Sequence, residues 1–158
     1  MKRRTFLQGT LTASAAGLAA GAGLLTPGAV MADGHGGGDM AAAFKLDNYA
    51  AAMEAIGAKD AAESGDIKIK APEIAENGAV VPVTISTEME GVTQIAMVVT
   101  ENPTPLAAVF NMTEGAQAMA STRLKMGKTS DMVAVVTAGD KSFMAKQEIK
   151  VTIGGCGG

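Results

Sequence analysis

The chain has 158 residues, 47% hydrophobic but only 3% aromatic, with 13 Lys and Arg against 16 Asp and Glu for a formal net charge of −3. That length allows one modest domain, and without Trp its core must be built from Val, Ile, Leu, Ala and Met. The acidic balance argues against nucleic acid or an anionic membrane as a partner, because both reward positive surface.

Lys2-Arg3-Arg4-Thr5-Phe6-Leu7 opens the chain with a paired arginine, followed by a weakly hydrophobic run rich in Ala, Gly, Ser and Thr. Pro27-Gly28-Ala29-Val30-Met31-Ala32 then supplies small residues suited to a signal peptidase, with cleavage expected after Ala32. The run is too diluted by Gly, Ser and Thr for a transmembrane anchor, which needs about 20 strongly apolar residues. The paired arginines point to twin-arginine export into a bacterial periplasm, with no membrane attachment after cleavage. Removing residues 1–32 from 158 leaves 126, and takes three of the 13 basic residues but none of the 16 acidic ones, so the mature net charge is −6.

Residues 33–40 read as a flexible glycine-rich leader carrying His35, the only histidine. Cleavage after Ala32 would make His35 the third mature residue, an arrangement that can wrap Cu(II) or Ni(II). The plainer reading, a lone histidine in a leader, is preferred because a shift of one residue in cleavage destroys the site. Residues 41–58 predict an amphipathic helix, with Leu46, Tyr49, Met53 and Ile56 at helical spacing among alanines and Gly57 as its stop.

Beyond Ser64-Gly65 the pattern is β throughout. Residues 66–70 alternate and end at Pro72, and Asn77-Gly78 is a turn signal. Residues 80–86 read as a strand that Pro82 marks as an edge or a bulge. Residues 92–100 form a continuous apolar strand, Asn102-Pro103-Thr104-Pro105 a stiff loop, and 106–112 a further strand. In 118–126, Met119, Ser121, Arg123 and Lys125 take one face, and Ala118, Ala120, Thr122, Leu124 and Met126 the other. A strand at 132–138 precedes a turn at Gly139-Asp140. The last strand, 142–153, sets Phe143, Ala145, Ile149, Val151 and Ile153 against Met144, Lys146, Glu148, Lys150 and Thr152, with only Gln147 out of pattern. About seven short strands with regular turn signals predict an all-β, immunoglobulin-like sandwich over residues 41–153, with an N-terminal helix.

Few residues can carry chemistry. One histidine, in a leader, supplies no catalytic triad, and one His with one Cys makes no metal cluster. The nine mature methionines sit at strand or helix positions and serve better as core filler than as soft-metal ligands. Glu88 and Glu90 flank Gly91 and read as a solvated turn pair. No cofactor is expected.

There remains Cys156, in the run Gly154-Gly155-Cys156-Gly157-Gly158. Glycines on both sides leave its sulfur unshielded and the backbone free, so 154–158 reads as a flexible arm. A lone cysteine in an exported chain suggests a reactive thiol or an intermolecular disulfide. Its thiolate is the nucleophile, and an unperturbed cysteine has a pKa of about 8.5. No basic residue in the tail lowers that value, so activation must come from the site that the tail enters. Two readings stay open on the residues alone: a thiol that carries cargo into partner enzymes, and a structural sandwich whose cysteine only crosslinks subunits.

Several segments together resemble the SoxY family, carrier subunits of the periplasmic thiosulfate-oxidising Sox complex. They are Ala75-Glu76-Asn77-Gly78-Ala79-Val80-Val81-Pro82-Val83, Glu101-Asn102-Pro103-Thr104-Pro105-Leu106, Ser121-Thr122-Arg123-Leu124-Lys125, and the terminal Val151-Thr152-Ile153-Gly154-Gly155-Cys156-Gly157-Gly158. The resemblance implies an immunoglobulin-like sandwich, SoxZ as the partner in a heterodimer, and sulfur intermediates held covalently on Cys156. It further implies a haem cytochrome that joins thiosulfate to the sulfur, a hydrolase that releases sulfate, and a sulfane dehydrogenase that oxidises the remaining sulfur. On this resemblance the chain is a substrate carrier without a catalytic site, Cys156 is the attachment point, and Gly154, Gly155, Gly157 and Gly158 form the swinging arm.

Overall fold

The computed structural model describes residues 40–152. Two short helices come first, α1 (Met40–Ala43) and α2 (Tyr49–Ala55), where the sequence pattern predicts one. The break has a local cause. Asn48 adopts an extended conformation, and its Oδ1 accepts hydrogen bonds from the amides of Ala50 at 2.8 Å and Ala51 at 3.2 Å. It thereby satisfies amide groups that the first turn leaves without partners, so a new helix starts there. The predicted stop at Gly57 holds: with φ +69° it lets the Ala58 amide reach the Met53 carbonyl and its own amide reach that of Glu54.

Nine strands follow: β1 (Ala62–Glu63), β2 (Ile67–Lys70), β3 (Ile74–Ala75), β4 (Val81–Thr87), β5 (Val92–Val99), β6 (Leu106–Asn111), β7 (Met119–Leu124), β8 (Ser130–Ala138) and β9 (Lys141–Val151). The larger sheet has the order β1-β9-β8-β5-β6, with β3 also on β9, and a second sheet has the order β2-β4-β7. The predicted all-β sandwich is present, with nine strands rather than about seven. The two additional strands, β1 and β3, have two residues each and run parallel to β9. A segment of two residues carries no period that a sequence pattern can register.

Between the sheets lie Val81, Val83 and Ile85 from β4, Ile95, Met97 and Val99 from β5, Met132, Ala134 and Val136 from β8, and Ile149 from β9. On the far side of the larger sheet, Ala96 and Val98 of β5 and Val133 and Val135 of β8 pack with Ala52, Met53 and Ile56 of the helical segment. The helices thus form a third layer, and β5 and β8 are covered on both faces. This is the physical reason for their unbroken apolar runs, since a strand with one solvated face would alternate. Buried Met97, Met126 and Met132 serve as core filler, as expected of a chain poor in aromatics.

Two refinements concern β4 and β9. β4 is the central strand of its sheet rather than an edge, but Pro82 pairs only with Arg123 of β7, because β2 ends at Lys70 opposite Thr84. The missing amide therefore falls where β2 has no residue to receive it. In β9, Phe143, Ala145, Ile149 and Val151 take the core side as the alternation predicts. Gln147, which breaks the pattern, donates from Nε2 to the Ala71 carbonyl at 3.2 Å and so ties β9 to the end of β2.

Candidate functional site

The predicted attachment residue Cys156, its flanking glycines Gly154, Gly155, Gly157 and Gly158, and His35 lie outside the described residues. The described chain does define the place from which the cysteine-bearing segment departs, Thr152 at the end of β9. The hairpin partner β8 is no longer available there, because its first residue, Ser130, pairs with Ile149. Residues 150–152 would fray without other partners, yet each of their amides has one.

On one side β3 supplies the acceptors. The Lys150 amide donates to the Glu73 carbonyl at 2.9 Å and the Thr152 amide to the Ala75 carbonyl at 3.1 Å. On the other side the Val151 amide donates to Thr129 Oγ1 at 3.0 Å. A threonine hydroxyl here replaces a ladder carbonyl, a side chain completing a backbone count that the sheet leaves open.

A second shell of contacts fixes these partners. The turn at 77–80 closes with the Val80 amide on the Asn77 carbonyl at 3.3 Å, while Asn77 Oδ1 accepts from the Ala79 amide at 3.0 Å. Within it Gly78 lies directly against the Met126 carbonyl, and a Cβ on it would also come within 2.8 Å of Val151 Cγ1. Its own carbonyl accepts from the Met126 amide at 2.7 Å. The Asn77-Gly78 signal does mark a turn, but one that carries the chain from β3 in the larger sheet to β4 in the smaller one. Glycine is required there by close approach of backbone to backbone. Asn102 holds the facing loop, donating from Nδ2 to the Lys125 carbonyl at 2.7 Å and accepting from the Gly127 amide at 3.2 Å. Lys128 adds an ion pair to Glu101 at 2.8 Å.

Sequence reasoning found the strand and the cysteine but not this anchor. Thr129, β3 and the packing of Gly78 carry no local pattern, and Asn102 reads only as part of a proline loop. Other expectations resolve simply. Glu88 is exposed and faces Lys68 at 3.8 Å, as a solvated turn residue would. In β7, Ser121 shares a 2.8 Å hydrogen bond with Thr84, while Ala120 and Leu124 enter the core as the alternation predicts.

A shallow depression of about 410 Å³ is lined by Lys59, Asp60, Asp140, Lys141, Ser142 and Phe143. It lies at the beginning of β9. From Phe143 to Thr152 the strand runs about 30 Å, whereas four residues from Thr152 to Cys156 extend about 14 Å at most. The thiol of a chain therefore cannot enter that chain's own depression. No helix among the described residues is long and apolar enough to cross a membrane.

A β-sandwich whose final strand is anchored by side-chain and cross-sheet contacts, and which continues into a glycine-flanked cysteine, is built as a rigid body bearing a terminal thiol. The chain belongs to the SoxY family: the family described as "Sulfur oxidation protein SoxY" matches residues 52–156, ending on Cys156 itself. Among solved structures it is similar to the sulfur carrier protein SoxY from Chlorobium limicola f thiosulfatophilum. The two are 44% identical, with a TM-score of 0.54, over 60% of this chain and 88% of that one. No curated protein matches the chain.

Proposed function

We propose that this protein is a covalent carrier of thiosulfate-derived sulfur, loaded on Cys156 and presented to periplasmic Sox enzymes, with SoxZ as its heterodimer partner. The observation that carries the reading is the extent of the family match, which reaches Cys156, taken with an anchor that holds β9 up to Thr152. The twin-arginine leader supports a periplasmic location.

In the proposed cycle the Cys156 thiol loses its proton and forms a bond to the outer sulfur of thiosulfate. The two electrons released pass to a haem cytochrome. Water then cleaves the bond between the outer sulfur and the sulfone sulfur, releasing sulfate and leaving a persulfide on Cys156. A sulfane dehydrogenase, using water as the oxygen source and removing six electrons, returns that persulfide sulfur to the sulfone level for a second hydrolysis, which frees the cysteine. The carrier's own contribution is the thiol, its reach and a firm base. Activation of the thiol falls to the enzymes, since the segment 152–158 contains no basic residue.

The test is the intact mass of the mature protein purified without reductant from thiosulfate-oxidising cells. Reducible sulfur-containing adducts are expected on the wild type and none on Cys156→Ser. A bare thiol, or only a disulfide-linked dimer, during active thiosulfate oxidation would overturn the proposal and leave a structural sandwich whose cysteine crosslinks subunits.

A further inference from the structure

We infer that Ile74 and Val80 form a contact surface for the entrance of the enzyme that loads thiosulfate onto Cys156. The inference rests on the carrier reading. Cys156 is four residues beyond Thr152, so its sulfur acts within about 14 Å of that residue plus the length of one side chain. An enzyme that receives the thiol in a recessed site must bring its rim at least that close. A standard interface covers about 800 Å² on each partner, a disc about 16 Å in radius. Any such disc centred on the path of the thiol includes the surface around Thr152.

That surface belongs largely to residues 73–80, whose carbonyls at Glu73 and Ala75 bind β9 and whose Gly78 packs on Val151. Among the described residues four large hydrophobic side chains are exposed, and two of them are in this segment: Ile74 at 57% and Val80 at 51%. Neither position needs an apolar residue for the fold. Ile74 occupies the outward position of a two-residue strand, and Val80 precedes the buried Val81. Both are β-branched and sit on backbone fixed by hydrogen bonds, Ile74 through the pairing of β3 with β9 and Val80 through its amide bond to Asn77. Little side-chain or backbone freedom would be lost on docking. The partner's rim must be apolar where it meets them.

The test uses full-length protein and a periplasmic extract that loads the wild type with thiosulfate, with the initial rate of the Cys156 mass shift followed against carrier concentration. The double variant Ile74→Arg/Val80→Arg is expected to raise KM at least tenfold with kcat within about twofold, while iodoacetamide alkylates Cys156 at the wild-type rate. Ile74→Thr/Val80→Thr keeps the β-branched backbone preference, and an intermediate rise in KM is expected even if the arginines disturb folding. Met119→Arg should load as wild type. Met119 is also exposed, but it pairs with Ser86, five positions along β4 from Val81. Unchanged KM in both double variants overturns the inference and leaves the carrier reading intact. A raised KM accompanied by a changed oligomeric state on sedimentation also overturns it, assigning the patch to a second subunit instead. A wild type that acquires no adduct removes the carrier reading and the inference together.

Discussion

The two ends of β9 are held in different ways. At its start the strand follows β8 through the two-residue turn Gly139-Asp140, Gly139 adopting φ +58°, and Ala138 pairs with Lys141. The register then runs unbroken to Ser130 opposite Ile149. At its other end the hairpin has run out, and residues 150–152 depend on β3, on the Thr129 hydroxyl and on the packing of Gly78. A strand with no work beyond its hairpin could have ended at Ile149. Instead the chain spends a parallel strand, a threonine and an obligatory glycine on extending it toward the cysteine. The comparison teaches that the root of the arm is a constructed anchor, separable from the core that makes the sandwich fold.

That separation can be tested from both sides. The largest effect on stability is expected in the core. Ile95 is fully buried between the sheets, and Ile95→Ala should lower the unfolding free energy by about 3–4 kcal/mol in urea melts. While the protein stays folded, alkylation of Cys156 should proceed unchanged. Gly78→Ala comes next, because its Cβ would overlap the Met126 carbonyl and crowd Val151. A loss of about 2 kcal/mol is expected, with amide exchange accelerating first at Lys150 and Thr152 as β3 moves away. Equal acceleration across β5 and β8 would show that anchor and core are a single unit.

The smallest effect should come from Thr129→Val, which preserves shape but removes the acceptor for the Val151 amide. About 1 kcal/mol is expected, with faster exchange confined to Val151 and its neighbours, and recovery in Thr129→Ser. In all three variants Cys156 should still take up its sulfur adduct, because none alters the thiol or its tether.

Much of the sandwich is legible in local pattern. The alternation of β7 and β9 assigns their faces correctly, and the helix stop at Gly57 and the turn at Gly139 follow from residue type. The continuous apolar runs of β5 and β8 announce strands, but not that the second cover is a layer of helices. The single helix expected over 41–58 fails at Asn48, where a capping side chain outweighs the apolar spacing. The edge expected at Pro82 holds only locally, since it depends on where β2 ends.

What the sequence by itself determined is what neighbouring residues determine: the two-residue period of the strands, the faces they bury, and a cysteine set among glycines a few residues past the last strand. What only the tertiary structure decided is where that cysteine is launched from. Thr129, Gly78 and the two residues of β3 meet residues 150–152 across separations in sequence of more than twenty. Such contacts leave no period behind, because each depends on one close approach between distant segments rather than on a repeated geometry along the chain.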